Sequence, residues 1–190
     1  IGSAGAVNGL AQVLLKATTP GVPDFFQGTE FWDFSLVDPD NRRPVDFAAR
    51  IEAAQADAAP AALAASWQDG RVKQAVILRT LAARRERADV FAQGSYTPVS
   101  VTGPFAEHVV AFLREHAGQR VLVLAPRLPA ALLDGESLRI PPDAWQGTGV
   151  AVPAGRWTNR LTGAPLVANG GSIPVADLLR ELPVALLATD

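Results

Sequence analysis

The chain has 190 residues, a formal net charge of −2, 48% hydrophobic and 19% charged residues, and no cysteine. That length can bury a real core, and the composition excludes a disordered chain. Without thiols there is no disulfide, thiolate metal site or thiol catalysis in this chain, and the near-neutral charge gives no general attraction to nucleic acid or to an anionic membrane.

In chain order, Val7, Leu10, Ala11 and Leu14 recur at three and four residues, which predicts a helix from about Ala6 that stops at Thr18-Thr19-Pro20. Gly21 to Phe26 reads as a short buried strand with its proline near the start. Gln27 to Arg43 is a long irregular loop, and a second helix is expected over Pro44 to Ala59, with Phe47, Ile51 and Ala54 as its apolar face. Asp69-Gly70 opens a third helix. Val72, Val76 and Ala83, flanked by Ile77 and Leu81, make its apolar side, and Arg79, Arg84, Arg85 and Arg87 its solvated one. After Asp89 the pattern turns β-rich, with strands expected at Tyr96–Val101, His108–Leu113, Val121–Ala125 and Pro183–Ala188.

No stretch reaches the ~18 uninterrupted apolar residues of a membrane span, and Ile1-Gly2-Ser3-Ala4-Gly5 lacks the basic start and apolar block of a signal peptide. With no methionine at all, the chain reads as a piece of a longer polypeptide, and the expected location is the cytoplasm.

The densest chemistry lies between Asp24 and Phe34, where five of the chain's 13 aromatics, Phe25, Phe26, Phe31, Trp32 and Phe34, are interleaved with Gln27, Glu30 and Asp33. A pyranose presents an apolar C–H face to aromatic rings and a rim of hydroxyls to carboxylates and amides, so this mixture suits a sugar. The same residues can also fill a core beneath a loop while the acids make turns. Asp38-Pro39-Asp40-Asn41-Arg42-Arg43 opens like a Ca²⁺ loop, but Arg42 and Arg43 occupy the places of the third ligand and the glycine, and Ala49 that of the closing Glu. No metal is expected there. The turn instead offers an arginine fork to a carboxylate or to sugar hydroxyls, or leaves its arginines in solvent. His108 and His116 have no nucleophile or carboxylate at a catalytic spacing, and Asn169-Gly170-Gly171-Ser172 reads as a turn.

Gly21-x-Pro23-x-x-Phe26-x-Gly28-x-Glu30 resembles the signature at and after the eighth strand of the (β/α)8 barrels of the alpha-amylase superfamily, and Arg42-Arg43-Pro44-Val45 resembles the Arg-x-Pro segment that follows it. The longer runs Thr19–Glu30 and Asp38–Asp46 resemble the maltooligosyltrehalose synthases within that superfamily. Trp67-x-Asp69-Gly70-Arg71-Val72-Lys73-Gln74 and Leu182–Leu187 are similar to later segments of the same family.

The resemblance implies an α/β plus all-β chain: the C-terminal part of a (β/α)8 barrel over residues 1–88, followed by an antiparallel β-sandwich over 89–190. It also implies an enzyme that rearranges the reducing-end α-1,4 linkage of a maltooligosaccharide to α,α-1,1 by retaining transfer, without metal or organic cofactor. The family's catalytic carboxylates lie on earlier strands, so no residue of this chain is assigned a catalytic role. Gln27, Glu30, Trp32, Asp33 and Arg42 are the candidate substrate-binding residues. The implied partners are the maltooligosaccharide and the missing N-terminal barrel portion, with neither nucleic acid nor membrane. Two other readings stay open: an α-glucan hydrolase of the same superfamily, and a non-catalytic module that binds glucan or braces a barrel. Exposed Trp145 or Trp157 would favour glucan binding by the β module.

Overall fold

The computed structural model describes residues 2–190. Helix α1 (Gly2–Thr18) buries Val7, Leu10, Ala11 and Leu14 on one face, as its period predicts. It packs against α4 (Arg71–Glu86), whose Val72, Val76, Ile77 and Ala83 are buried in turn. Between them lie α2 (Phe47–Gln55), capped by the Asp46 carboxylate accepting from the Ala49 amide at 3.0 Å, and α3 (Pro60–Ala65). The expected single helix over 44–59 is therefore shorter, and the chain breaks before Pro60, which disfavours helical geometry at the residue preceding it. Helix α5 (Ala88–Gln93) completes the helical part.

A six-stranded antiparallel sheet follows, in the order β1 (Thr97–Pro98), β3 (Val109–His116), β4 (Gln119–Pro126), β9 (Ala185–Thr189), β6 (Gly155–Asn159) and β7 (Pro165–Ala168). A second antiparallel sheet pairs β2 (Val101–Thr102), β5 (Gly149–Val152) and β8 (Gly171–Pro174). A one-turn helix, α6 (Val175–Leu178), leaves β8.

Because side chains alternate across a strand, β4 sends Val121, Val123 and Ala125 to the helices and Leu122 and Leu124 to the small sheet. Strand β9 divides Leu186 and Ala188 from Ala185 and Leu187 in the same way. Both faces of these strands are covered, which is why they read as unbroken apolar runs. The helices and the large sheet thus share one core across the expected boundary near residue 88.

Three expectations are corrected. Residues 22–26 form no strand and belong to no sheet, and Val22 is 95% exposed; no strand of this chain pairs with them. The predicted apolar face of α2 is also uncovered, with Phe47 and Ile51 both more than half exposed. The arginine face of α4 is not simply solvated. Arg79 donates to the carbonyls of Leu161 (2.5 Å) and Ala58 (3.1 Å), Arg84 to those of Ala17 (3.0 Å) and Gly21 (2.6 Å), and Arg87 to that of Thr189, leaving Arg85 exposed.

Strands β5 to β8 carry little signal in the sequence, because they are four or five residues long and three of them begin with glycine.

Arg114, in β3, is only 1% exposed. It faces no carboxylate. Its guanidinium donates to the carbonyls of Ser95 (2.7 Å), Thr18 (3.0 Å), Phe91 (3.0 Å) and Gly94 (3.1 Å). A cation set against the C-terminal carbonyls of α1 and α5 meets the negative ends of both helices, and it ties them to the sheet.

Candidate functional site

The loop that leaves residue 26 is built by a sequence of close contacts. Thr29 closes a turn by donating its amide (3.1 Å) and hydroxyl (2.6 Å) to the Phe26 carbonyl. Gly28 sits at φ +87°, and a Cβ there would come within 2.8 Å of Val45, so the turn lies flush on the Arg-Arg-Pro-Val segment. Arg50, from α2, donates to the Gly28 carbonyl (2.5 Å), the Asp46 carbonyl (3.0 Å) and the Glu30 carboxylate (3.1 Å), with its guanidinium 4.6 Å from the Phe31 ring centre.

The Trp67–Gln74 segment holds the next part of the loop. Gly70, at φ +81°, lets Phe31 and Trp32 approach so closely that a Cβ would meet the Phe31 Cβ at 2.8 Å and the Trp32 amide nitrogen at 2.9 Å. Lys73 donates to the Phe31 carbonyl at 3.0 Å. The Trp32 indole donates to the Trp67 carbonyl at 2.6 Å, and the two indoles meet edge to face with centroids 6.3 Å apart. Gln74, itself buried, donates to the Arg50 carbonyl at 2.9 Å. Trp67, Gly70, Lys73 and Gln74 therefore serve, from α4 and the turn before it, to fix the loop and its main support.

Held this way, Trp32, Asp33 and Phe34 form a wall between two clefts. One, of about 350 Å³, is lined by Gln27, Asp33, Ser35, Asn41, Arg43 and Arg50 among others. The other, of about 460 Å³, is floored by Gly2, Gly5 and Gly9 of α1 and walled by Trp32, Phe34 and Trp67, with Lys73 at its edge. Phe34 faces both and is 89% exposed. Asp33 accepts from the Ser35 hydroxyl (2.6 Å) and amide (2.9 Å), and these bonds hold its carboxyl below the usual carboxylate value. Burial pushes the Lys73 ammonium below its ordinary value, and Asp33 opposes that shift. The first cleft thus offers carboxylates, amides and two guanidinium groups, and the second offers aromatic walls.

Of the residues picked out in the sequence, Gln27, Trp32 and Asp33 come together at the first cleft. Glu30 does not line it and is engaged by Arg50. Arg42 does not line it either: a short 3-10 turn (Asp40–Arg42) directs it onto the Asp38 carboxylate, while Arg43 pairs with Asp40 and borders the cleft. Trp32 is half-buried and hydrogen-bonded, so it is a wall of the fold before it is a stacking surface. Asp40 accepts from the Leu36 amide at 2.8 Å, and among the described residues no cluster of His, Cys, Asp or Glu is arranged to hold a metal ion.

Sequence reasoning missed Arg50 and Lys73, and of the arginines Arg42 and Arg43 that the turn could present it carried only Arg42 forward. Trp145 and Trp157 are each 1% exposed, so glucan binding by the β module through these rings loses its support. His108 is half-buried with Nδ1 3.2 Å from the Leu128 carbonyl, and His116 ends β3. Among the described residues, no helix is long and apolar enough to cross a membrane.

No family model matches the chain. It is 40% identical over 181 residues, 95% of its length, to a putative maltooligosyl trehalose synthase of Mycobacterium tuberculosis. It spans only 20% of that relative's length. The solved structure of maltooligosyltrehalose synthase from Arthrobacter ramosus superposes on 99% of the chain, and 23% of that enzyme, with a TM-score of 0.78 and 40% identity. An Anoxybacillus alpha-amylase structure superposes on 96% of the chain and 32% of its own with a TM-score of 0.57 at 14% identity, a likeness of fold alone.

Proposed function

Over 181 of its 190 residues this chain belongs to the maltooligosyl trehalose synthase family, and from that premise we propose that it forms part of the sugar-binding rim of an intramolecular transglucosidase. The reaction is the conversion of the reducing-end α-1,4 linkage of a maltooligosaccharide into an α,α-1,1 linkage. The observation that carries this reading is the 40% identity across 95% of the chain.

On this reading residues 1–88 contribute the last helices and the last strand of a (β/α)8 barrel, and residues 89–190 form the C-terminal β-sandwich that braces it. An upstream part of the same polypeptide supplies the neighbouring strands. In its favour, residues 22–26 pair with no strand of this chain, and Val22, Phe26, Phe34, Leu36, Val37, Phe47 and Ile51 are exposed between residues 22 and 51. A soluble chain seldom leaves that much apolar surface in one region uncovered.

Retaining transfer needs a nucleophilic carboxylate and an acid/base carboxylate on opposite sides of one glycosidic bond, about 5 Å apart. We assign both to the upstream part. What remains for this chain is to bind and orient the sugar and to exclude water, so that the freed glucose and not water attacks the intermediate. Phe34 offers a ring for the pyranose face, and Gln27, Asp33, Asn41 and Arg43 offer acceptors and donors for its hydroxyls.

The test is a product assay on maltohexaose, with the full-length polypeptide compared with this 190-residue chain. Reducing ends that vanish under the full-length protein without release of glucose, beside an inert isolated chain, support the proposal. A rise in reducing ends makes the enzyme a hydrolase. Turnover by the isolated chain overturns the upstream placement of the carboxylates and brings Asp24, Glu30 and Asp33 under test.

A further inference from the structure

We infer that Arg50 is the positioning residue of this sugar site, and that Glu30 is its partner and not a sugar ligand; the inference rests on the sugar-binding reading above. Each nitrogen of the Arg50 guanidinium meets a different acceptor. Nε donates to the Glu30 carboxylate at 3.1 Å, Nη2 to the Gly28 carbonyl at 2.5 Å and Nη1 to the Asp46 carbonyl at 3.0 Å. Its cationic face lies 4.6 Å from the centre of the Phe31 ring. The side chain is 17% exposed and that of Glu30 is 28%, so the pair is largely withdrawn from water.

Two of these acceptors, Gly28 and Glu30, flank the turn from which Trp32, Asp33 and Phe34 project. The third, Asp46, belongs to the cap of α2, the helix that carries Arg50 itself. One planar fork therefore joins the helix to the base of the loop. The Arg50 backbone is held in turn by the buried Gln74 of α4. No other side chain is hydrogen-bonded to both ends of the Gly28–Glu30 turn among the described residues.

Lysine cannot replace this arginine. Its ammonium is a single centre with three donors, and it cannot reach acceptors on three sides while also stacking flat on a ring. The consequence for the site is geometric. A loop freed at Gly28 and Glu30 lets the 32–34 wall drift, and displacements of the order of 1 Å are enough to lose rate and affinity by a large factor.

The experiment compares the full-length polypeptide with its Arg50→Ala, Arg50→Lys and Glu30→Gln variants. It measures KM and kcat for maltohexaose and, on the same proteins, amide hydrogen exchange over residues 27–35. Arg50→Ala is expected to speed exchange over that segment and to raise KM by roughly tenfold, with a smaller change in kcat. Arg50→Lys is expected to recover less than about half of either effect. Glu30→Gln should keep most of both properties, because the amide oxygen still accepts from Nε.

A Glu30→Gln variant with wild-type loop exchange and a KM raised as far as in Arg50→Ala makes Glu30 a sugar ligand and overturns the inference. So does an Arg50→Ala protein with unchanged exchange, or with unchanged KM beside an active wild type. If Arg50→Ala fails to fold, the Arg50→Lys and Glu30→Gln pair decides by the same criteria. If the wild type does not act on maltohexaose, the functional proposal fails by itself, and the exchange data still decide whether Arg50 holds the loop.

Discussion

The two ends of this chain handle apolar surface in opposite ways. In the β-rich part, the central strands β4 and β9 are covered on both faces, and even the bulky Trp145 and Trp157 are enclosed. Between residues 22 and 51 the chain instead exposes seven large apolar side chains, against four elsewhere among the described residues. The first region is closed within this chain, the helices covering one face of β4 and β9 and the small sheet the other. The second is ordered by backbone clamps and ion pairs from one side and left open on the other, which is the condition of a surface made to meet something else.

The largest expected effect tests the closed region. Replacing Arg114 with Leu leaves four carbonyls without their shared donor, two of them in buried hydrogen bonds, and should lower stability by about 3 kcal/mol or more in urea unfolding. A loss below about 1 kcal/mol would show that the two helix ends do not depend on it.

Next come two aromatic neighbours that sharpen the contrast. Trp32→Ala removes a half-buried, hydrogen-bonded ring and should cost about 2 kcal/mol in thermal or urea melts. Phe34→Ala, at an exposed position, should change stability by no more than about 0.5 kcal/mol yet weaken maltohexaose binding by the full-length protein in calorimetry. Equal melts, or unchanged binding by Phe34→Ala, break the division between wall and stacking surface.

Gly70→Ala places a Cβ against Phe31 and Trp32 at a left-handed position, and should cost about 1–3 kcal/mol while loosening the loop in hydrogen exchange.

The smallest effect is electrostatic. Ser35→Ala removes the stronger of the two bonds that hold the Asp33 carboxyl low, so its titration, followed by NMR, should move up toward the ordinary carboxylate value. The sign for stability follows from a folded-state value below the unfolded one. The contribution stands at pH above the ordinary carboxylate range and is lost as pH falls through the folded-state value, and in Ser35→Ala it is smaller throughout.

Periodicity made α1, α4, β3, β4 and β9 legible, because each has a neighbour within the chain that its apolar residues match. The same signal misled where that neighbour is absent. Phe47 and Ile51 form a correct helix face with nothing on it, and Val22 to Phe26, with no strand of this chain to pair with, form none. The arginines of α4 show a different limit: spacing says which side of a helix is polar, not whether water or a carbonyl meets it.

At the candidate site, the dense run from Gln27 to Phe34 singled out the loop that the structure sets between the two clefts. It did not reveal which of Arg42 and Arg43 borders the cleft, because a single 3-10 turn decides that. Arg50 and Lys73 lie 20 and 42 residues from their partners Glu30 and Phe31, beyond the reach of any local pattern.

The central claim is that the 22–51 surface is a joint to the rest of a longer polypeptide while the β-rich part is already closed by elements of this chain. Hydrogen exchange on this 190-residue chain and on the full-length polypeptide, compared residue by residue, tests it most directly. Strong protection gained over residues 22–51 only in the full-length protein, with β4 and β9 equally protected in both, is the predicted result. Equal exposure of residues 22–51 in the two proteins would contradict it.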